Sequence, residues 1–224
     1  MITSLASINL EQIEQTYCHF MNQPVIQSFL KTGGRVFIAT EKLPIEIIQR
    51  WIKLGHRHFS EKYVQEASIK WPLLRSKFPD IVLHQYGHLQ SNKIKTALQL
   101  YDGLESLDSL RLLDKIIRLR APGNRLNHFW VQVNLGAEPQ KFGIAPHEVA
   151  GFIDSCRHYQ VPIKGLMAIP PKFDPAHVHF QALRKLADFC ALEECIMGMS
   201  GDYKVAIETG SNAIRVKRLL LEAL

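Results

Sequence analysis

The chain has 224 residues, 46% of them hydrophobic and 21% charged. That supports one large α/β domain or two small ones with a substantial core, and it excludes global disorder. The formal net charge of +6 suits anionic partners such as phosphates. No run of lysine and arginine reaches the density of a nucleic-acid arm, so the charge reads first as a solvated basic surface.

The first 30 residues read as helix, with Leu5, Ile8, Leu10, Ile13 and Tyr17 at near-helical spacing. Thr32-Gly33-Gly34 breaks that helix. Strand-like runs then alternate with helical patterns. The strands are Val36–Thr40, His58–Ser60, Val82–Tyr86, Gly103–Leu107, Phe129–Val133, Ile163–Ala168, Ile196–Met199 and Ala213–Val216. The helical patterns are Pro44–Leu54, Lys62–Ser76, Ser91–Leu98, Ser109–Arg120, Pro146–Tyr159, Pro175–Leu192 and Asp202–Thr209. Lys217–Leu224 reads as a short final helix. This order predicts a single-domain α/β fold, a (β/α)8 TIM barrel with an extra N-terminal helix over about residues 1–34. An open doubly wound sheet has the same periodicity, because periodicity does not report closure.

In a barrel the chemistry sits at the carboxyl ends of the strands. Those ends carry Glu41-Lys42, Glu61-Lys62, Gly87-His88, Ser106 and Asp108, Asn134, Met167, Met199-Ser200, and Arg215 with Lys217. Such a pocket is polar and able to hold an anion. Ser200-Gly201 and Gly210-Ser211 read as turns whose backbone N–H groups could cradle a phosphate, or equally as ordinary turns and caps.

Cys18, Cys156, Cys190 and Cys195 form no CxxC pair and read as free thiols in a reducing cytosol. The N-terminus has no basic region followed by an apolar core, and no apolar run is long enough to span a membrane. A cytoplasmic protein is expected.

Five segments together resemble one family. They are His58-Phe59-Ser60-Glu61-Lys62-Tyr63-Val64-Gln65-Glu66-Ala67, Gly87-His88-Leu89-Gln90-Ser91-Asn92-Lys93, Val131-Gln132-Val133-Asn134 with Lys141-Phe142-Gly143-Ile144, Gly165-Leu166-Met167-Ala168-Ile169-Pro170, and Met197-Gly198-Met199-Ser200. The chain resembles the pyridoxal phosphate homeostasis proteins, single-domain relatives of the alanine racemase N-terminal barrel, from about Arg35 to Arg215. The resemblance implies one such domain over residues 1–224. It also implies pyridoxal 5′-phosphate (PLP) held as a Schiff base on a lysine after the first strand, a buffering or delivery role, and no robust turnover. The true racemases use a second domain, and this chain ends at Leu224 just after the eighth strand, so racemase activity is not expected.

The family pattern at the first strand end is roughly Ser-Lys-Thr-Lys-Pro. Anchored on Pro44, this sequence reads Thr40-Glu41-Lys42-Leu43-Pro44, which puts Glu41 at the Schiff-base position. A carboxylate cannot condense with an aldehyde, so weakened or lost covalent PLP binding is expected. Lys42 would face away unless a bulge turned it inward. The family's pocket asparagine is replaced by Lys62, and its phosphate-approaching glycine and the next hydroxyl by Lys217 and Arg218. Ser200, Gly210, Ser211 and Arg215 match cofactor-site positions.

An ion pair from Glu41 to Lys62 or Lys217 is the expected compensation for a carboxylate in that pocket. Two alternatives stay open: Lys62 as a relocated Schiff-base lysine, and Lys217 binding a phosphate as a point charge. His88, Gln90, Asn92 and Lys93 read as a loop at the pocket mouth. Glu41 beside Lys62 and His88 is capable of acid–base work, though no substrate is indicated. The expected partner is a small phosphorylated ligand, with no membrane and no nucleic acid. No catalytic or metal-ligating set is expected, and the expected state is a monomer or weak dimer. A PLP-independent binding module on the same barrel is the alternative function.

Overall fold

The computed structural model describes residues 9–221. Two helices come first, α1 (Leu10–Met21) and α2 (Pro24–Lys31). They are two rather than the single expected helix, because Pro24 sits at the first position of α2 and cannot donate into α1. Leu5 and Ile8 lie outside the described residues. The barrel follows: β1 (Arg35–Ala39), α3 (Ile45–Lys53), β2 (His58–Glu61), α4 (Val64–Arg75), β3 (Val82–Gln85), α5 (Ile94–Leu100), β4 (Gly103–Leu107) and α6 (Leu110–Leu119). It continues with β5 (His128–Gln132), α7 (Val149–His158), β6 (Ile163–Met167), α8 (Ala176–Phe189), β7 (Glu194–Ile196), α9 (Tyr203–Glu208) and β8 (Ala213–Val216).

The sheet closes. All eight strands are parallel in sequence order, and β1 pairs with β8 through Arg35–Ala213 and Phe37–Arg215. The expected barrel is therefore present and the open sheet is not. Side chains alternate between two cores. Val36 and Ile38 of β1 face the helices with Ile47, Ile48 and Trp51, whereas Phe37 faces the barrel axis with Trp130, Met167, Ile196 and Ala213.

Helices α3 to α9 follow the first seven strands in turn. Among the described residues the chain after β8 makes a 3-10 turn, Arg218–Leu220, and the rest of the expected final helix, residues 222–224, lies outside them. The N-terminal helices cover the space beside that turn. Tyr17 of α1 bonds His56 beyond α3 at 3.2 Å, and Phe20 packs edge-on to Tyr203 of α9 at 5.5 Å. The apolar outer face where β8 meets β1 would otherwise meet water, which is why α1 stands where an eighth helix would.

Strand β7 ends at Ile196, earlier than the expected Met199. Gly198 bends the chain at φ +99, and a Cβ there would lie 2.5 Å from the Ala206 Cβ. Among the described residues no helix is long and apolar enough to cross a membrane. No group of three or more metal-capable side chains is found among them either.

Candidate functional site

Phe37 points to the barrel axis, and the turn after β1, closed by the Leu43 N–H to the Thr40 carbonyl at 3.1 Å, brings the Glu41 side chain to the carboxyl end of the barrel beside Lys217 and Tyr86. The Glu41 carboxylate is gripped at both oxygens. Lys217, one residue past β8, donates from Nζ to Oε1 at 2.8 Å and to the Glu41 backbone carbonyl at 2.6 Å. Tyr86, one residue past β3, donates its hydroxyl to Oε2 at 2.5 Å. Burial pushes the Glu41 carboxyl up, but the hydrogen bonds from Lys217 and Tyr86 and the lysine charge outweigh it and hold it below the ordinary carboxylate value. Burial, and then the Glu41 charge, raise the Tyr86 phenol, so it stays a donor at neutral pH.

Beneath this group lies a buried polar column. The Arg215 guanidinium stacks on the Tyr86 ring at 4.2 Å and forms an ion pair with Glu105 of β4. The other oxygen of Glu105 is 2.9 Å from His84 Nδ1. Burial lowers the Arg215 guanidinium to about 10, against the opposing influence of Tyr86 and Glu41, so it remains cationic at neutral pH. The column places Glu41, Tyr86, Arg215, Glu105 and His84 in sequence along the barrel interior.

A second network fixes the turn that carries Glu41. Lys70 of α4 reaches Glu61 at 2.6 Å, the Thr40 carbonyl at 2.9 Å and Glu66 at 3.1 Å. Glu66 in turn accepts the Lys42 N–H at 2.8 Å. Lys42 is exposed and takes the left-handed conformation, φ 61. The inward-turning bulge is therefore absent, and Lys42 does not enter the pocket.

Of the expected ion-pair partners of Glu41, Lys217 is the one used. Lys62 is exposed, with its stem along Gly87 and its Nζ 5.7 Å from the Tyr63 ring centroid. Ser200 does sit beside Lys217, its Oγ accepting the N–H groups of Lys217 and Leu219 at 3.3 and 3.5 Å. Gly210 and Ser211 do not join them. They precede β8 and so lie toward the amino end of the barrel, and Ser211 Oγ is 2.8 Å from the Met197 carbonyl and 2.9 Å from that of Ala213. Ser211 is a tie between strands, and the phosphate-turn reading of Gly210-Ser211 is corrected.

At the mouth, His88 stacks on Phe142 at 3.9 Å and contacts Asp108 at 2.9 Å, while Gln90 and Asn92 are exposed and Lys93 is half-buried. Sequence reasoning passed over Tyr86, Glu105 and Lys70. Glu105 left a signal, a lone charge inside the apolar run Gly103–Leu107, where an unpaired carboxylate would be costly.

No family model matches the chain. Curated relatives do. The pyridoxal phosphate homeostasis protein of Helicobacter pylori is 34% identical over 198 residues, 84% of this chain and 87% of that protein. That of Aquifex aeolicus is 32% identical over 192 residues, 81% and 83%. The chain belongs to the pyridoxal phosphate homeostasis protein family. Among solved structures, PipY of Synechococcus elongatus without PLP superposes with a TM-score of 0.82 at 28% identity, covering 93% of this chain and 99% of that one. PipY with PLP bound gives 0.79 at 27%. An alanine racemase of Clostridium difficile, at 12% identity and TM-score 0.73, covers 95% of this chain and 57% of its own; it shares the barrel fold. The family assignment and the single closed barrel agree with the resemblance read from the GHLQSNK and MGMS segments.

Proposed function

We propose that this chain is a non-catalytic member of the homeostasis family, working in the cytoplasm, whose pocket no longer holds PLP covalently. The observation that carries this reading is the Glu41–Lys217–Tyr86 cluster. By the family pattern, Glu41 stands where the anchoring lysine would be, and a carboxylate forms no carbon–nitrogen bond with an aldehyde. The residues present do not fit a covalently held cofactor. Lys217 replaces the glycine that would let a phosphate approach the backbone. Its ammonium is committed to Glu41, and its N–H points at the Ser200 hydroxyl. The pocket supplies its own charge neutralisation, so a dianionic ligand must compete with Glu41 for Lys217. Binding of PLP is accordingly weak and reversible.

The test mixes purified protein with PLP, records the visible spectrum, and adds borohydride. Wild type is expected to show no adduct band and no mass increase after reduction. The double variant Glu41→Lys/Lys217→Gly, which restores both family residues, is expected to gain both. A borohydride-fixed adduct on the wild-type protein would overturn the proposal, and peptide mapping would show whether Lys62 or Lys42 carries it. The PLP-independent interaction module remains as a second reading. It draws support from exposed aromatic groups at the mouth, Phe173 at 90% and Phe142 at 54% exposure. Equilibrium dialysis separates the two readings: saturable non-covalent PLP binding favours the first, and none favours the second.

A further inference from the structure

We propose that the amino-terminal mouth of the barrel, at the opposite end from Glu41, is a second binding site, for a small organic oxyanion. A cavity of about 310 Å³ opens there. Its walls come from the starts of strands: Arg35 opens β1, His58 opens β2, His128 opens β5 and Glu194 opens β7, while Lys164 of β6 stands at the rim. The proposal does not depend on what the carboxyl end binds.

The charge balance favours an anion. Two cations, Arg35 and Lys164, face one carboxylate. That carboxylate is already engaged, because Glu194 Oε2 accepts from Arg35 at 2.6 Å and from the Trp130 indole at 3.0 Å. Arg35 Nε is buried and has no acceptor. The part of Arg35 open to the cavity is the remainder of its side chain, 28% exposed, and that is the face an oxyanion would meet. The histidines report the same field. Burial first, and then Arg35, lower the His58 imidazole; burial first, and then Lys164, lower His128. The cationic part of these shifts, which is smaller than the burial part and is opposed by Glu194 at His128, has the sign that favours a bound anion. The deeper charges, Arg215 and Glu105, are paired with each other and add no net charge.

The floor sets the shape. Phe37 lies 4.2 Å from the His84 ring, and His84 lies 4.9 Å from Trp130, so flat apolar surfaces adjoin the cationic rim. Gly103 makes this packing accessible, since a Cβ there would stand 2.7 Å from His84 and 2.9 Å from Trp130. A compact body with a carboxylate or phosphate fits both features. A bare metal ion does not, since no group of three or more metal-capable side chains is found among the described residues.

Histidine ring resonances, followed by NMR during titration with benzoate and separately with inorganic phosphate, test the site. Saturable shifts at His58 and His128 are expected with at least one probe. Benzoate alone would mark a flat carboxylate as the ligand, and phosphate alone a phosphate. Lys164→Gln, an exposed substitution, is expected to weaken binding by about five- to tenfold, as loss of one charge-assisted contact does. Lys217→Gln, at the far end, is expected to leave it unchanged. Non-saturating shifts with both probes, indifference to Lys164→Gln, or loss of binding in Lys217→Gln would each overturn the proposal.

Discussion

Replacing Lys217 with methionine removes the cation that neutralises Glu41 while keeping an unbranched side chain of similar reach. Two contacts disappear, at 2.8 and 2.6 Å. Hydrogen bonds to charged groups contribute about 1.5–3 kcal/mol. Both side chains are 19% exposed, so water competes for the carboxylate once the lysine is gone. Tyr86 also remains as a donor. The low end applies: a loss of about 1.5 kcal/mol, or roughly 3–6 °C in Tm for a chain of this size.

The sign of the pH dependence follows from the Glu41 carboxyl, which is held below its ordinary value in the folded protein. Its stabilising contribution is present above the unfolded-state value and is lost as pH falls through the folded one. In Lys217→Met the lysine's downward pull is gone and burial raises the carboxyl. The gap between wild type and variant is therefore widest near neutrality, narrows below the ordinary carboxylate value and closes as pH falls through the lower folded one. Urea unfolding across a pH series measures it. A gap that stays constant into acid, or none at neutral pH, would refute the assigned pairing.

Two further outcomes follow. Arg215→Met strands Glu105 in the barrel interior and should cost about 3–5 kcal/mol in urea unfolding, whereas Arg215→Met/Glu105→Leu should recover most of it; an equally unstable double variant would show that the pair itself is not the source. Burial raises the thiols of Cys156 and Cys195 to about 12 and also raises Cys190, while Cys18 is exposed, so a thiol reagent should label one cysteine quickly in the native protein and all four in denaturant; a second fast thiol would contradict the packing.

Strand and helix alternation was legible because β-strands and amphipathic helices write their period into neighbouring residues. The expected and observed elements coincide closely, even at Gly103–Leu107 and Ala213–Val216. The misreadings share one physical cause: local pattern does not say where an element stops. Strand β7 stops early because Gly198 turns where a side chain would strike Ala206. Gly210-Ser211 looked like a phosphate turn by composition, but its place before β8 puts it toward the wrong end of the barrel. Tyr86 read as the last residue of an apolar strand, and its hydroxyl gained a role only when β1 and β8 came alongside.

By itself the sequence determined the alternation of eight strands with helices, the family and the arrival of a carboxylate at the end of β1, because these rest on periodicity and motif. Which cation would meet that carboxylate could not be read from it. Lys42, Lys62 and Lys217 were all within the pattern's reach. Closure of β1 against β8 decided the matter by bringing together residues 176 positions apart. The left-handed turn at Lys42 and the packing of Lys62 along Gly87 keep the nearer lysines outside. An ion pair needs its atoms within a few ångströms, and only the closed barrel sets that distance.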